Sequence, residues 1–363
     1  MEWGFAMTAG ATQRPPYRVP AMAEIDRLAR HGKVVVSTFS GGGGSCLGYR
    51  IAGYRVLWAN EFIKAARETY AANFPDTVID PRDIRQVQPD DILAATGRAV
   101  GEIDLFDGSP PCAAFSVSGK GDAGWGETKL YSDGAHQRVD DLFFEYTRLL
   151  AGLQPKVFIA ENVKGLVRGK AKGYFKLILA ALADCGYTVE ARVINAAFLG
   201  VPQARERLIF VGVRRDLNLS PAFPKPLPYV YTVRDALGGL DTAAPVEQNA
   251  WLGGYQTGAE WRRLRPGQGS AKYLNLIRAH FDAPCPTVIA VSGKVSTACV
   301  THPTECRKFT AAEVRRLCSF PDDFILTGNY QRQIERMGRA VPPLMMSAIA
   351  STVYAEILSK VQS

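Results

Sequence analysis

Four groups of residues in this chain could do chemistry. Cys112 stands in the turn Gly108-Ser109-Pro110-Pro111-Cys112-Ala113-Ala114-Phe115-Ser116. The run Ile103 to Phe106 before it reads as a buried strand, so the cysteine is expected where a strand ends and a loop begins. A free cysteine in a core is commonly inert. On a turn braced by two prolines it is instead presented as a nucleophile. The second group, Glu161-Asn162-Val163, ends the strand Val157 to Ala160 and offers a carboxyl as a candidate proton donor. The third, Gln203-Ala204-Arg205-Glu206-Arg207, precedes the strand Leu208 to Val213. Strand alternation puts Gln203, Arg205 and Arg207 on one face. The fourth, Phe39-Ser40-Gly41-Gly42-Gly43-Gly44, follows Val34-Val35-Val36 directly. Its glycines let the backbone approach a ligand at positive φ, and the next helix offers free N–H groups. Glu61, at the end of a second strand, suits ribose hydroxyls. Asp83-Ile84 comes next. Singly these acids read as solvated surface groups; in this order they read as an adenosine site.

The elements that must hold these groups alternate. Arg55 to Trp58 is expected as a strand, and Ile63 to Asn73, Asp140 to Leu153 and Tyr174 to Cys185 as helices. Such alternation predicts a doubly wound α/β fold with a mostly parallel sheet covered on both faces. Residues 1–31 read as a loose extension, broken by Pro15, Pro16 and Pro20, with a short helix within Ala21 to Arg30. Residues 32–216 and 307–363 read as the catalytic domain. Residues 217–306 read as a smaller lobe, rich in Pro and Gly, with scattered Trp251, Tyr255, Trp261, Arg262, Arg263, Arg265, Lys272 and Tyr273. Thr310-Ala311-Ala312-Glu313 is a capping box that opens a helix. Pro342 to Leu358 reads as a last helix packing back on the first lobe.

Composition bounds the partners. The chain has 363 residues, of which 47% are hydrophobic and 21% charged, with a formal net charge of +8. That balance favours a polyanionic partner. Seven cysteines without a CxxC pair argue against a disulfide framework or a zinc site, and the four histidines are not spaced as metal ligands. A reducing, cytoplasmic setting is expected. There is no signal peptide and no apolar run long enough to span a membrane.

The order Phe39-Ser40-Gly41-Gly42-Gly43, Glu61, Asp83, Pro110-Pro111-Cys112, Glu161-Asn162-Val163, Gln203-x-Arg205-x-Arg207 and Gly338-x-x-Val341-Pro342 resembles the DNA cytosine-5 methyltransferase family. The resemblance runs from about Lys33 to Leu358. Arg307-Lys308-Phe309-Thr310 and Ser319-Phe320-Pro321 add to it. It implies a class I methyltransferase fold, S-adenosylmethionine as cofactor, double-stranded DNA as partner, and a monomer. It implies that Cys112 adds to C6 of a cytosine flipped out of the duplex. Glu161 would hydrogen-bond N3 and the amino group, while Arg205 and Arg207 contact O2 or steady Glu161. Phe39, Ser40, Gly41, Gly43, Gly44, Pro110 and Val341 would line the cofactor. Glu61 would take its ribose, Phe62 and Ile84 the adenine faces, and Asp83 the adenine amino group. Ser116 and Lys120 would meet phosphate, with Gln203 and Thr287 also facing DNA. Ser118 to His136 would be a mobile lid, and residues 217–306 the target-recognition domain.

Two departures stand out. The family's Gln after the nucleophile is Ala113 here. Its Gly-Asn-x-Val-Pro is Gly338-Arg339-Ala340-Val341-Pro342. The resemblance puts position 339 on the wall of the cofactor cleft, where a cation about 5 Å from a sulfonium would cost on the order of 3 kcal/mol. Arg339 could turn outward, or pair with the cofactor's carboxylate or a nearby acid. It could also pair with a carboxylate on the transferred group. The last arrangement would make the donor carboxy-S-adenosylmethionine and the product 5-carboxymethylcytosine. Three rival readings differ in class. The transfer-RNA branch carries a Cys-Phe-Thr signature that is not found here. A non-enzymatic DNA-binding regulator would tolerate loss of Cys112 or Glu161, and both are present. A nicotinamide dehydrogenase would carry Gly-x-Gly-x-x-Gly, which the glycine run matches only loosely.

Overall fold

The computed structural model describes residues 14–111, 141–169, 171–240, 246–295 and 297–361, together with the backbone of 128–130 and 136–138. Seven strands form the central sheet: β1 Val34–Thr38, β2 Arg55–Asn60, β3 Val78–Asp80, β4 Leu105–Gly108, β5 Val157–Val163, β6 Tyr187–Asn195 and β7 Glu206–Arg214. Their order is β3-β2-β1-β4-β5-β7-β6. The first five run parallel, while β7 is antiparallel to both neighbours. The sequence pattern predicted the parallel part but left β6 unassigned. About ten residues separate β6 from β7, fewer than a parallel crossover usually takes, so this pair closes as an antiparallel one.

The strands are apolar because both faces are covered. Val35, Leu105, Ile159 and Val211 point into one cluster, which helices α2 Gly44–Ile51 and α11 Pro343–Glu356 complete. Val36, Phe106, Phe158 and Phe210 alternate into a second cluster, shared with α5 Leu142–Leu153 and α6 Ala171–Asp184. The expected last helix therefore does return to the first lobe. Its approach to α2 needs a glycine: a Cβ on Gly48 would lie 2.6 Å from Met346 Cβ and 2.7 Å from Pro343 O. Gly48→Ala is expected to cost about 1–3 kcal/mol through overpacking, read as a lower urea midpoint at unchanged slope.

The expectation of a loose N-terminus fails for residues 14–31. The short helix expected within Ala21 to Arg30 is present as α1 Met22–Asp26, and it buries Ile25. The Tyr17 hydroxyl donates to Arg316 O at 2.7 Å, and its ring lies 5.0 Å from that of Tyr231. His31 stacks on Tyr354 at 3.8 Å. Prolines kept this segment from being regular, but its aromatics dock it all the same.

Residues 217–306 hold short elements, among them α7 Val233–Leu237 and α8 Gln256–Trp261. Cys285–Pro286 pairs in parallel with Gln203–Ala204. Val233, Ala236, Ala279, Cys285 and Val288 belong to the same apolar cluster as Val35 and Val211. Strand order reverses between β1 and β4, and the carboxyl ends flanking such a reversal form the natural ligand crevice.

Candidate active site in the strand crevice

On one side of the crevice, the chain leaves β1 in a tight turn. Phe39, Gly41 and Gly43 have φ of 53°, 57° and 94°. Gly43 is obligatory, since a Cβ there would sit 2.2 Å from the Phe74 ring. Ser40 N donates to Asn60 O and Gly43 N to Ser40 O, both at 3.0 Å. Gly44 then opens α2. The Glu61 carboxylate accepts from Gly41 N at 2.8 Å and Ile63 N at 2.6 Å. Burial pushes its pKa up, against the pull of those two N–H groups and of Arg336 and Arg67. A carboxylate offers about four acceptor sites, so two stay open for ligand hydroxyls.

Phe62 is half-buried beside Glu61, whereas Ile84 is closed into the cluster of Val36, Trp58 and Val87. Asp83 caps the short turn Ile84–Gln86 through Arg85 N and pairs with the Arg85 guanidinium at 3.3 Å.

On the other side, β4 ends at Gly108 and is followed by Ser109, Pro110 and Pro111. Asn162 Nδ2 donates to Pro110 O at 3.3 Å, fixing the turn to β5. Cys112, Ser116 and Lys120, and the segment read as a lid, lie outside the described residues apart from two short pieces of backbone. Glu161, on β5 beside Asn162, receives Arg207 Nε at 2.7 Å. Both side chains are largely buried.

One sequence expectation needs correction here. Gln203 and Arg205 both turn inward and both bond Val288, and the strand pauses at Arg205 before Arg207. Gln203 is 0% exposed. Its amide donates to Leu317 O and Cys318 Sγ and accepts from Val288 N, so it braces the interior and does not face DNA. Arg205 is 1% exposed. It donates to Val288 O at 3.1 Å and Gly338 O at 2.8 Å, fastening three chain segments, with Glu161 near enough to act on its charge. Burial, reinforced by Arg207, lowers its pKa to about 9. Thr287 is half-buried, its hydroxyl donating to Ala204 O at 2.9 Å.

Helix α10 Tyr330–Arg339 carries the sharpest departure. Arg339 turns back along the helix, with Nε and Nη2 each 2.9 Å from Glu335 Oε1. Glu335 is buried and also meets Arg336 at 3.1 Å. Pairing with a nearby acid was one of the three expected resolutions. Val341 is buried at the helix end.

Sequence reading missed one group entirely. Asp107, the third residue of β4, is fully enclosed and receives the Ser37 hydroxyl at 2.7 Å and the Tyr49 hydroxyl at 2.8 Å. An acid inside an otherwise apolar strand was the available signal.

Comparison with known proteins bears on this arrangement. A family model described as C-5 cytosine-specific DNA methylase matches residues 34–355. The chain is 31% identical to Type II methyltransferase M.NgoFVII of Neisseria gonorrhoeae, covering 88% of this chain and 86% of that one. It is 34% identical to M.PspPI of Psychrobacter sp. (strain TA137), covering 88% and 78%. It is 30% identical to M.MthTI of Methanothermobacter thermautotrophicus, covering 89% and 97%. Among solved structures, a candidate DNA modification methyltransferase encoded within a prophage (E. coli) superposes with a TM-score of 0.73 at 23% identity, over 90% of this chain and 100% of that one. S. pombe Dnmt2 methyltransferase superposes at 0.62 with 16% identity, over 89% and 98%. At these identities the two structures speak for the fold.

Proposed function

The chain belongs to the C-5 cytosine-specific DNA methylase family, and on that premise we propose that it methylates C5 of a flipped-out cytosine in double-stranded DNA. The donor is S-adenosylmethionine and the setting a cytoplasmic restriction–modification system. The observation that carries this reading is the Glu161–Arg207 pair at the end of β5, next to the turn that leads to Cys112. The Glu61 carboxylate and the glycine turn stand across the same strand reversal.

The crevice residues fit the cofactor. Glu61 keeps acceptor capacity for ribose hydroxyls, and the turn at Gly41 leaves open space where a Cβ would stand. Phe39 and Phe62 supply apolar walls, and Asp83 a carboxylate for the adenine amino group. When bound, S-adenosylmethionine would supply an electrophilic methyl carbon to C5, its sulfur leaving as a neutral thioether. The protein's part is to make C5 nucleophilic. The Cys112 thiolate adds to C6, breaking the C5–C6 π bond. Glu161 donates its proton toward N3 and holds the amino group, and Arg207 keeps that carboxyl oriented. Loss of the C5 proton to solvent restores the double bond and releases the thiolate, and N3 returns its proton to Glu161.

Pairing of Arg339 with Glu335 supports a plain methyl donor over carboxy-S-adenosylmethionine. The guanidinium is drawn to Glu335 within α10, a carboxylate it shares with Arg336, and this turns it toward a protein acid. Residues 217–306 would read the target. Trp251 and Tyr255 are 46% and 42% exposed there, and Arg263 is exposed beside them in sequence. Aromatic and basic side chains of this kind suit contact with DNA.

The test is mass spectrometry of nucleosides from DNA of varied sequence, incubated with the protein and equal amounts of the two donors. 5-Methylcytosine is expected as the product. Substantial 5-carboxymethylcytosine would return Arg339 to the donor site. No modified cytosine would sink the catalytic reading.

A further inference from the structure

Asp107 is the one acid deep in the crevice, among the described residues, that the mechanism above does not use. It is 1% exposed on β4, two residues before Ser109 and five before Cys112. Oδ2 accepts the Ser37 hydroxyl at 2.7 Å, and Oδ1 accepts the Tyr49 hydroxyl at 2.8 Å. Ser37 is its direct partner in the β1–β4 ladder. The chain of bonds continues outward, because the Ser40 hydroxyl reaches Ser37 Oγ at 3.0 Å and Ser37 O at 3.1 Å. Ser40 lies inside the glycine turn, between Phe39 and Gly41. Tyr49 lies on α2, the helix that this turn opens. One carboxyl thus grips both flanks of the turn and belongs to the strand that delivers the nucleophile.

We infer that Asp107 is a positioning residue that sets the cofactor turn in register with the Pro110–Pro111 turn at the end of its own strand, through Ser37, Ser40 and Tyr49. This inference rests on the methyltransferase reading. The physical need is clear: a methyl carbon and C5 must meet to within a few tenths of an ångström, yet they are held by loops from two different strands. A polar chain with fixed directions specifies that relation better than apolar packing alone.

The groups facing Asp107 come from every element around it: Ser37 on β1, Tyr49 and Cys46 on α2, Tyr70 on α3 Lys64–Asn73, Tyr146 on α5 and Glu161 on β5. Burial pushes the carboxyl up to about 7, and Glu161 pushes the same way, while the Ser37 and Tyr49 hydroxyls pull it down. The folded protein therefore holds this proton more tightly than the unfolded chain. The contribution of Asp107 to stability falls as pH rises from the ordinary aspartate range to about 7, and is level above that.

The experiment compares the full-length wild type with Asp107→Leu and Asp107→Asn. Affinity for S-adenosylmethionine and for a DNA duplex is measured separately by calorimetry, with KM and kcat beside them. Asp107→Leu is expected to weaken cofactor binding by about tenfold or more, with DNA affinity unmoved and kcat at saturating cofactor less affected than KM. Asp107→Asn, which keeps hydrogen-bonding capacity without the titration, should recover cofactor affinity to within about threefold and flatten the fall in stability between pH 5 and 7. If Asp107→Leu does not fold, Ser40→Ala and Tyr49→Phe each cut one arm and should shift cofactor KM in the same direction. The inference is overturned if folded Asp107→Leu, or both single-arm variants, bind cofactor like wild type, or if the asparagine variant behaves like the leucine one. Wild-type protein that binds no S-adenosylmethionine would instead overturn the methyltransferase reading beneath it.

Discussion

Cys112→Ala is expected to reduce single-turnover methylation by about four to six orders of magnitude. Without the thiolate, C5 stays part of an aromatic ring and is a poor nucleophile, so no remaining side chain can replace the missing bond to C6. The other six cysteines cannot substitute. Burial pushes the thiols of Cys46 and Cys299 up to about 12 and about 11, and those of Cys285 and Cys318 upward as well. Cys185 and Cys306, half-buried, are raised by the same cause. A thiol that resists ionisation is a weak nucleophile at neutral pH. A second readout uses a duplex with 5-fluorocytosine at the target. Fluorine cannot leave as a cation, so the wild type should stay covalently attached and migrate as a complex. The alanine variant should not. Activity within about tenfold of wild type would rule out Cys112 as the nucleophile.

Glu161→Gln should lower kcat by about two to four orders of magnitude while leaving DNA affinity within a few fold. Glutamine keeps the shape and an acceptor for Arg207, but it has no acidic proton to give to the ring as the adduct forms. Arg207→Ala should act in the same direction and more weakly, because it removes the 2.7 Å partner that holds the carboxyl and not the carboxyl itself. The double variant should fall short of the summed effects, as expected when two side chains act as one unit. Thermal melting guards against a trivial cause: removing one member of a largely buried pair leaves the other charge uncompensated. If Glu161→Gln lost only DNA affinity at unchanged kcat, the proton-donor role would be wrong and Glu161 would be a binding group.

Much of this molecule was legible in residue order because the determining interactions are local. Three consecutive valines before a glycine run define β1 and its turn, and both lie where that pattern puts them. The Thr310–Glu313 capping box is present with both reciprocal bonds. Pro110 and Pro111 follow β4 as expected, and Glu161-Asn162-Val163 close β5. In each case a residue's neighbours within a few positions fix its conformation, and type plus spacing suffices.

What only the tertiary structure decided depends on contacts between distant segments. Alternation groups Gln203, Arg205 and Arg207 but does not say what lies opposite them. Val288, Cys318 and Gly338, from remote segments, make Gln203 and Arg205 inward braces, and Glu161 takes Arg207. Arg339 reads from sequence as an unbalanced cation, and Glu335 one helical turn earlier was the available clue. Its burial against α10's surroundings is what makes it an effective partner. The aromatics of residues 14–31 find Tyr231, Tyr54 and Tyr354 from remote parts of the chain. Asp107 gains its meaning only when β1 and β4 lie side by side and α2 folds over them. The sequence by itself determined which groups exist and the order in which strands deliver them. Packing decided which of those groups face the crevice and which brace it, because a side chain's direction is set by partners the local pattern does not contain.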